Sequence, residues 1–309
     1  MSNQHEKGYN SAATKVLFSG ILFGTAGTAV TFAPDGATSA MLGFFRLVFG
    51  ALAFFVLIPK FDGSWKHTFS LINRPVVWFM GIGSAAFQPC FFGATARNGV
   101  ALSTLITVGS IPVFAGIVGK FLLHEPIKPS WVIFTGIGIT GLIIRSWGEI
   151  DINDPIGIFL SLGAAASVAC YMNAIKIGLN KGGHPYELPT IAYILGALLL
   201  TPTIISPVMK NGLSESLGWL FSIHGIAIAL FMGIVTMAAP NWLQISSMKY
   251  LSPGPIATLS LADPLTATLL GVFVLKEDFS ISAGFGLLLV AIAIIGQSWA
   301  ARNQKTLLL

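Results

Sequence analysis

The sequence contains one motif twice, PVFAGIVGKFLLHEP at residues 112–126 and PLTATLLGVFVLKED at residues 264–278. A shift of 152 residues superposes identical residues along the two copies: Pro112 on Pro264, Ala115 on Ala267, Gly119 on Gly271, Phe121 on Phe273, Leu123 on Leu275 and Glu125 on Glu277. The same shift places Ser146–Trp147 on Ser298–Trp299. Proline, glutamate and a Ser-Trp pair are not generic residues of apolar segments, so the matches indicate an internal repeat.

Composition places both copies in a membrane. The chain has 309 residues, of which 54% are hydrophobic and 9% charged, and its mean hydropathy is +0.80. Ordinary globular domains carry about 25% charged residues, so the polar surface of this chain is too small for a soluble enzyme. The two cysteines, Cys90 and Cys170, lie in apolar runs and indicate no disulfide framework.

Ten apolar segments are long enough to cross a bilayer as helices, because a helical span needs roughly 20 residues. They cover residues 15–33, 39–58, 76–95, 100–123, 130–147, 155–175, 187–207, 224–243, 254–275 and 280–299. Their continuous apolar character differs from the alternating pattern of outer-membrane strands. The sequence therefore predicts an all-α membrane protein with ten transmembrane helices.

Positive charge is distributed unequally between the two sides of these spans. If the N-terminus is cytoplasmic, twelve basic residues lie on that side: Lys7, Lys15, Lys60, Lys66, Arg74, Lys120, Lys128, Lys176, Lys181, Lys249, Arg302 and Lys305. Four lie on the other side: Arg97, Arg145, Lys210 and Lys276. The positive-inside rule therefore predicts that both termini are cytoplasmic. This bias also explains the basic composition without a nucleic-acid partner.

The repeat has an odd number of spans, so the second copy must cross the membrane in the opposite sense to the first. We divide the chain into a tail at 1–14, a first repeat at 15–148, a second repeat at 149–300 and a tail at 301–309. Inverted repeats are typical of secondary transporters, whose substrate site lies near the midplane where the repeats meet. The sequence thus predicts transport by alternating access about a central site. A channel is a less suitable interpretation, because inverted repeats with paired prolines that can act as hinges favour gating of an occluded site over a continuous pore.

Several stretches resemble the EamA domain of the drug/metabolite transporter superfamily. SIPVFAGIVGKFLLHEP and ADPLTATLLGVFVLKED resemble its closing helix pair, and FSGILFGTAG followed by GFFRLVFGALAFF resembles its first two spans. The resemblance covers the chain apart from some ten residues at each end. It implies two EamA repeats that export small metabolites, often amino acids or related compounds. Many relatives carry an acidic residue before both closing prolines, whereas here Ser110–Ile111 precedes Pro112 and only the second repeat has one, Asp263.

Asp263 is the most informative position, because it lies near the middle of the ninth span. A carboxylate at that depth costs at least ~2.5 kcal/mol, so it should face a cavity, pair with a cation or be protonated. We consider it a candidate for proton coupling and for binding a substrate amine. The alternative is that Asp263 caps a helix that begins at Pro264. Arg46, the one basic residue deep in a span, either holds a substrate carboxylate, snorkels to the interface, or pairs with Asp35 or Asp263.

Prolines accompany amides in two further spans, Gln88–Pro89 in the third and Pro240–Asn241 in the eighth. Proline frees a backbone carbonyl one turn earlier, so the helix can bend and present polar backbone to a cavity. We therefore predict hinges or broken helices at four prolines: Pro89, Pro112, Pro240 and Pro264. The amide of Gln88 can both donate and accept, which suits a zwitterionic solute, although hydrogen bonding between helices is the simpler role.

Polar side chains near the predicted midplane complete the candidate substrate site. Those proposed besides Gln88 and Asp263 are Thr107, Ser110, Tyr171, Asn173, Thr258 and Ser260. The hydroxyls alternatively bond to carbonyls of their own helices. Small residues on the first span, from Gly20 to Thr28, predict close helix packing.

Enzymatic function has little support in the sequence. The chain contains no HExxH or GxSxG motif, and its five histidines lack metal-ligand spacing. A membrane-embedded enzyme or accessory subunit for lipid-linked substrates remains the alternative. We expect no metal, no cofactor and no nucleic acid, and instead a small-molecule substrate, membrane lipid, a monomer or homodimer, and a location in the bacterial cytoplasmic (inner) membrane.

Overall fold

The structure, a computed structural model, describes residues 2–147, 154–276 and 278–303, and these residues contain helices and no strands. The α-helices are α1 (Ser2–Thr31), α2 (Ser39–Leu57), α3 (Trp65–Ser70), α4 (Pro75–Leu122), α5 (Pro129–Arg145), α6 (Pro155–Asn180), α7 (Glu187–Leu200), α8 (Pro202–Asn211), α9 (Leu213–Leu217), α10 (Ile223–Leu230), α11 (Ala239–Ser247), α12 (Pro253–Leu259), α13 (Ala262–Phe273) and α14 (Ile281–Asn303). A π-helical segment, Phe231–Ala238, joins α10 to α11. The all-α prediction is confirmed for the described residues.

Eight helical segments of the described chain are long and apolar enough to cross a membrane. One of them is α4, whose 48 residues include both the third and the fourth predicted span. A straight helix of that length would extend about 72 Å, more than twice the hydrocarbon core of a bilayer. The apolar helix α5, with 17 residues, is shorter than the eight.

Gly99 divides α4 into two helical halves, 75–98 and 100–122. Its φ of 72° and ψ of 169° lie outside the helical region, and φ is positive, which glycine adopts without a steric cost. The helix continues through Pro89 and Pro112, so neither proline is a broken-helix site. The prediction of a helix break at these two prolines is wrong. The backbone leaves helical geometry at Gly99, and the missing N–H of a proline does not by itself interrupt α4. A hinge role for the two prolines in motion stays a prediction.

Interruptions do occur near the other two prolines. Pro240 is the second residue of α11 and follows the π-helical segment directly. Pro264 is the third residue of α13, which follows a break in helical structure at Ser260–Leu261. The second half of the chain therefore has irregular helix geometry beside both predicted hinge prolines.

Small residues let the helices approach closely. A Cβ on Gly141 of α5 would lie 2.7 Å from the carbonyl oxygen of Gly286 in α14, and one on Gly83 of α4 would lie 2.8 Å from that of Ser167 in α6. The pairs α5–α14 and α4–α6 each join the first half of the chain to the second. The predicted boundary between the repeats, at 148–149, and Glu277 lie outside the described residues.

Candidate functional site

Asp263 lies where one apolar span is interrupted between α12 and α13. Its backbone N–H donates to the carbonyl oxygen of Ser260 at 2.9 Å, and α13 begins at Ala262. The N-cap residue is Leu261, without a capping side chain, so the idea that Asp263 caps a helix from Pro264 is wrong. The Asp263 side chain is half-buried and has no hydrogen bond or ion pair to another described residue. Its carboxylate lies in the first turn of α13, where the helix dipole favours negative charge.

Two glycines of α1 pack directly against this interruption. A Cβ on Gly20 would lie 2.7 Å from Cβ of Ala262, and a Cβ on Gly24 would lie 2.6 Å from the carbonyl oxygen of Asp263. Both distances are shorter than real Cβ contacts, so only glycine permits this approach of α1. The prediction of close packing by the small residues of α1 is confirmed at these positions. Gly27 has no atom of another residue within 4 Å of its Cβ position.

Gln244 of α11 ties the interruption to α1. Its Nε2 donates to Oγ of Ser260 at 2.9 Å and to Oγ of Ser19 at 3.3 Å. The two serine hydroxyls donate in turn to carbonyl oxygens of their own helices, that of Ser19 to Val16 at 2.7 Å and that of Ser260 to Ile256 at 2.8 Å. We call Ser19, Gln244, Ser260 and Asp263 the Asp263 cluster. Gln244 and Ser19 are not among the eight substrate-site candidates predicted from the sequence.

Arg46 of α2 contributes a positive charge to the same region. Its Nη2 donates to the carbonyl oxygen of Thr236 at 2.5 Å, and its Nε is buried without a hydrogen-bond partner among the described residues. Arg46 and Asp263 lie within electrostatic range of each other, but no ion pair joins them. Arg46 forms no ion pair with Asp35 or Asp263, and its guanidinium instead bonds to the Thr236 carbonyl of another span. Snorkelling of Arg46 to the interface stays a prediction.

The acceptor for Arg46 follows from local sequence. Pro240 stands four residues after Thr236 and has no N–H, so it cannot donate the usual helical hydrogen bond to the Thr236 carbonyl. The Thr236 hydroxyl donates to the carbonyl of Met232 at 2.8 Å, within the π-helical segment. Proline thus leaves a carbonyl oxygen free for a cation on a neighbouring helix.

Tyr193 of α7 lies between Tyr171 and Arg46 and interacts with both. The sequence does not single out this residue. The Tyr171 hydroxyl donates to that of Tyr193 at 3.0 Å, and the rings stack with centroids 5.9 Å apart. Tyr193 interacts electrostatically with Arg46 and packs on Gly50, one turn from Arg46 on α2. The signal available in the sequence is an aromatic hydroxyl within an apolar span, one turn after Thr190.

Two predicted site residues lie in the interface between α4 and α6. Thr107 donates to the carbonyl of Ser161 at 3.2 Å, and Nδ2 of Asn173 donates to Ala115 at 3.2 Å and to Ala169 at 2.9 Å. Thr107 and Asn173 are both fully buried. Their hydrogen bonds join these two helices, and none connects them to the Asp263 cluster.

The remaining predicted residues are dispersed. Thr258 is buried and shares a 2.8 Å hydrogen bond with Thr135 of α5. Gln88 is buried against α2, with its Oε1 2.8 Å from a Cβ position on Gly43. Ser110 is half-buried and makes no side-chain hydrogen bond to another described residue. Of the eight candidates, Ser260 and Asp263 lie in one cluster, and Tyr171 adjoins it through Tyr193.

A second polar cluster centres on Glu125, in the connection between α4 and α5, near the ends of the spans. Glu125 interacts with Ser252 and Lys176, and Lys176 donates to the carbonyl of Met248. Burial raises the pKa of Glu125, while the Ser252 hydrogen bond and the nearby lysines oppose that shift. The cluster joins the first half of the chain to the second. No group of three or more metal-ligating side chains occurs among the described residues.

Comparison with known proteins agrees with this architecture. The sequence profile of the EamA-like transporter family matches residues 10–147 and 155–299. The uncharacterized transporter YwfM of Bacillus subtilis (strain 168) is 31% identical over 94% of this chain and 95% of its own. The threonine/homoserine exporter RhtA of Escherichia coli (strain K12) is 24% identical over 84% of this chain and 82% of its own. A solved crystal structure with 18% identity has a TM-score of 0.76 and covers 95% of this chain and 99% of that chain, which shows the shared fold.

Proposed function

We propose that this chain, which belongs to the EamA-like transporter family, is a secondary exporter or uniporter of amino acids or related compounds with its substrate site at Asp263. The family and the relatives are transporters, not enzymes, so the enzyme alternative has no support. The chain is a multi-pass membrane protein in a lipid environment, and its substrate is a small molecule.

One observation carries the assignment of the site. Asp263 is a carboxylate at an interruption between two helical segments of one apolar span, and its side chain has no hydrogen bond to a described residue. Discontinuous helices form the central sites of many secondary transporters, because their ends present polar groups at membrane depth. An unbonded carboxylate at such a point suits the ammonium group of an amino acid. RhtA, a threonine/homoserine exporter by name, supports the same class of solute.

The architecture we propose has ten crossings in two inverted five-helix repeats. Division of α4 at Gly99 gives two segments of 24 and 23 residues, each of the length that a span needs. With α5 counted as a span, each family match contains five. The positive-charge bias supports cytoplasmic termini and a bacterial inner membrane. The two halves would rock about the Asp263 cluster by alternating access.

The other candidate residues take different parts in this proposal. Gln88, Ser110, Tyr171 and Ser260 line or adjoin the path of the solute. Thr107, Asn173 and Thr258 lie in helix interfaces that must slide or reorganise when the site changes its access, so they would affect the rate more than specificity. The prolines Pro89, Pro112, Pro240 and Pro264 are proposed as flexing points, and Asp263 as the group that exchanges a proton during the cycle.

Counterflow in proteoliposomes tests this function. Purified protein is reconstituted into liposomes preloaded with unlabelled L-threonine, L-homoserine or other amino acids, and uptake of the labelled compound is followed. We expect saturable exchange of at least one amino acid that protein-free liposomes lack. The proposal fails if no amino acid exchanges, or if the protein instead turns over lipid-linked substrates.

A further inference from the structure

We infer that Arg46 is the residue that binds the carboxylate of the solute, and that the site therefore selects zwitterionic amino acids over their amides. This inference rests on the proposed function and adds a second recognition point to the Asp263 site. Nε of Arg46 is buried and has no acceptor among the described residues. A buried N–H without an acceptor costs stability, and most severely in a low-dielectric interior, so the position calls for an oxygen ligand.

A hydrogen bond to a neighbouring helix fixes the direction of the Arg46 side chain. Nη2 bonds to the Thr236 carbonyl, which the missing N–H of Pro240 leaves available. The guanidinium is therefore fixed through Nη2, which carries a second N–H, while Nε has no acceptor among the described residues. A carboxylate binds arginine through two parallel N–H donors, and Nε–H forms such a pair with the second N–H of Nη2. Opening of the site during alternating access would bring this pair of donors to the solute.

The opposite charges of Arg46 and Asp263 lie in the same region without pairing. Arg46 and Asp263 attract each other but form no ion pair, and both side chains are half-buried. Two opposite charges inside a membrane protein usually pair directly, since each is costly alone. An amino acid carries an ammonium and a carboxylate on one carbon atom, so it can bridge the two protein charges. Tyr193, beside Arg46, places an aromatic hydroxyl next to the same point.

The test compares Arg46→Gln with wild type and with a matched control, Arg145→Gln. Arg145 is also half-buried and also bonds to a neighbouring span, with its Nε donating to Oγ1 of Thr268 at 2.7 Å, but it lies in the last turn of α5. Counterflow of labelled L-threonine is measured with unlabelled L-threonine and L-threoninamide as competitors. Wild type should prefer threonine over threoninamide on the order of 10- to 100-fold, as for a hydrogen-bonded charge.

Arg46→Gln should raise the half-saturation concentration for threonine by that factor and reduce the preference to near one, whereas Arg145→Gln should keep it. If Arg46→Gln does not fold, Arg46→Lys is the second test, because lysine retains the positive charge but lacks the paired N–H donors of the guanidinium. The preference of Arg46→Lys for threonine over threoninamide should be at least tenfold lower than that of wild type. Threonine exchange by wild type with an unchanged preference in the folded Arg46 variants overturns the role of Arg46 alone. Absence of amino-acid exchange by wild type overturns the proposed function and this inference together.

Discussion

Substitution of Gly24 by alanine tests how closely α1 approaches Asp263. The new Cβ would lie 2.6 Å from the carbonyl oxygen of Asp263 and 2.6 Å from Cβ of Thr266. Ordinary van der Waals contact begins near 3.4 Å, so backbone must move by several tenths of an ångström. Overpacking of this kind costs about 1–3 kcal/mol, while the better helix propensity of alanine returns at most about 1 kcal/mol.

Gly27 is the matched control for this substitution. It lies on the same helix, and its Cβ position has open space within 4 Å. Gly27→Ala should therefore gain stability from the better helix propensity of alanine, without a steric cost. The two variants should therefore differ by about 2 kcal/mol in stability. At roughly 2–4 °C per kcal/mol, the apparent Tm of Gly24→Ala should lie about 4–8 °C below that of Gly27→Ala.

The assay is a thermal melt of each detergent-purified variant, followed by size-exclusion chromatography of the protein that remains soluble, with counterflow measured in parallel. We expect Gly24→Ala to lose both thermal stability and exchange activity, because the shifted backbone belongs to Asp263. Equal Tm values and equal exchange for the two alanine variants would refute the close approach of α1 to the interruption.

Three further predictions concern the surroundings of the site. Gln244→Leu removes two hydrogen bonds between helices and should destabilise the protein by about 1 kcal/mol. The measurement is a thermal melt, with Gln297→Leu, at a buried glutamine of α14, as the comparison. Equal Tm values for the two variants would contradict this prediction. Pro240→Ala supplies an N–H that competes for the Thr236 carbonyl, so the half-saturation concentration for L-threonine should rise, and an unchanged value would refute the anchoring of Arg46. Because burial raises the pKa of Glu125, its contribution to stability is complete below about pH 4.3 and is lost as pH rises through the raised pKa. Glu125→Gln should remove that pH dependence of the Tm above about pH 4. A Tm profile that superimposes on that of wild type would contradict the assignment.

Much of the fold could be predicted from sequence because membrane spans are marked by length and composition. The apolar runs, the repeated Pro–Glu motif and the EamA resemblance led to an all-helical transporter, which the family match confirms. The gap between the predicted spans 76–95 and 100–123 contains Gly99, where α4 is divided, whereas the breaks expected at Pro89 and Pro112 do not occur. A sequence shows that a proline lacks an N–H, but it does not show whether a glycine adopts positive φ.

The candidate site was harder to predict, since hydropathy does not show which way a side chain faces in a helix that is apolar all round. Asn173 and Thr107 are polar at midplane, yet they bond across the α4–α6 interface. Tyr193 faces Arg46 although its span contains no other polar signal at that depth. The rotation of each helix about its axis is set by packing with its neighbours, which a single sequence does not specify.

In the proposed mechanism the carboxylate of Asp263 binds the solute and exchanges a proton in each transport cycle. The most direct measurement is amino-acid flux by Asp263→Asn in proteoliposomes, with and without an imposed pH gradient, against wild type and against Asp35→Asn as a control outside the spans. We predict that wild type and Asp35→Asn respond to the gradient, and that Asp263→Asn reaches the membrane in normal amounts but shows no proton-dependent flux. Flux in Asp263→Asn with the same dependence on the pH gradient as wild type would contradict proton coupling through Asp263.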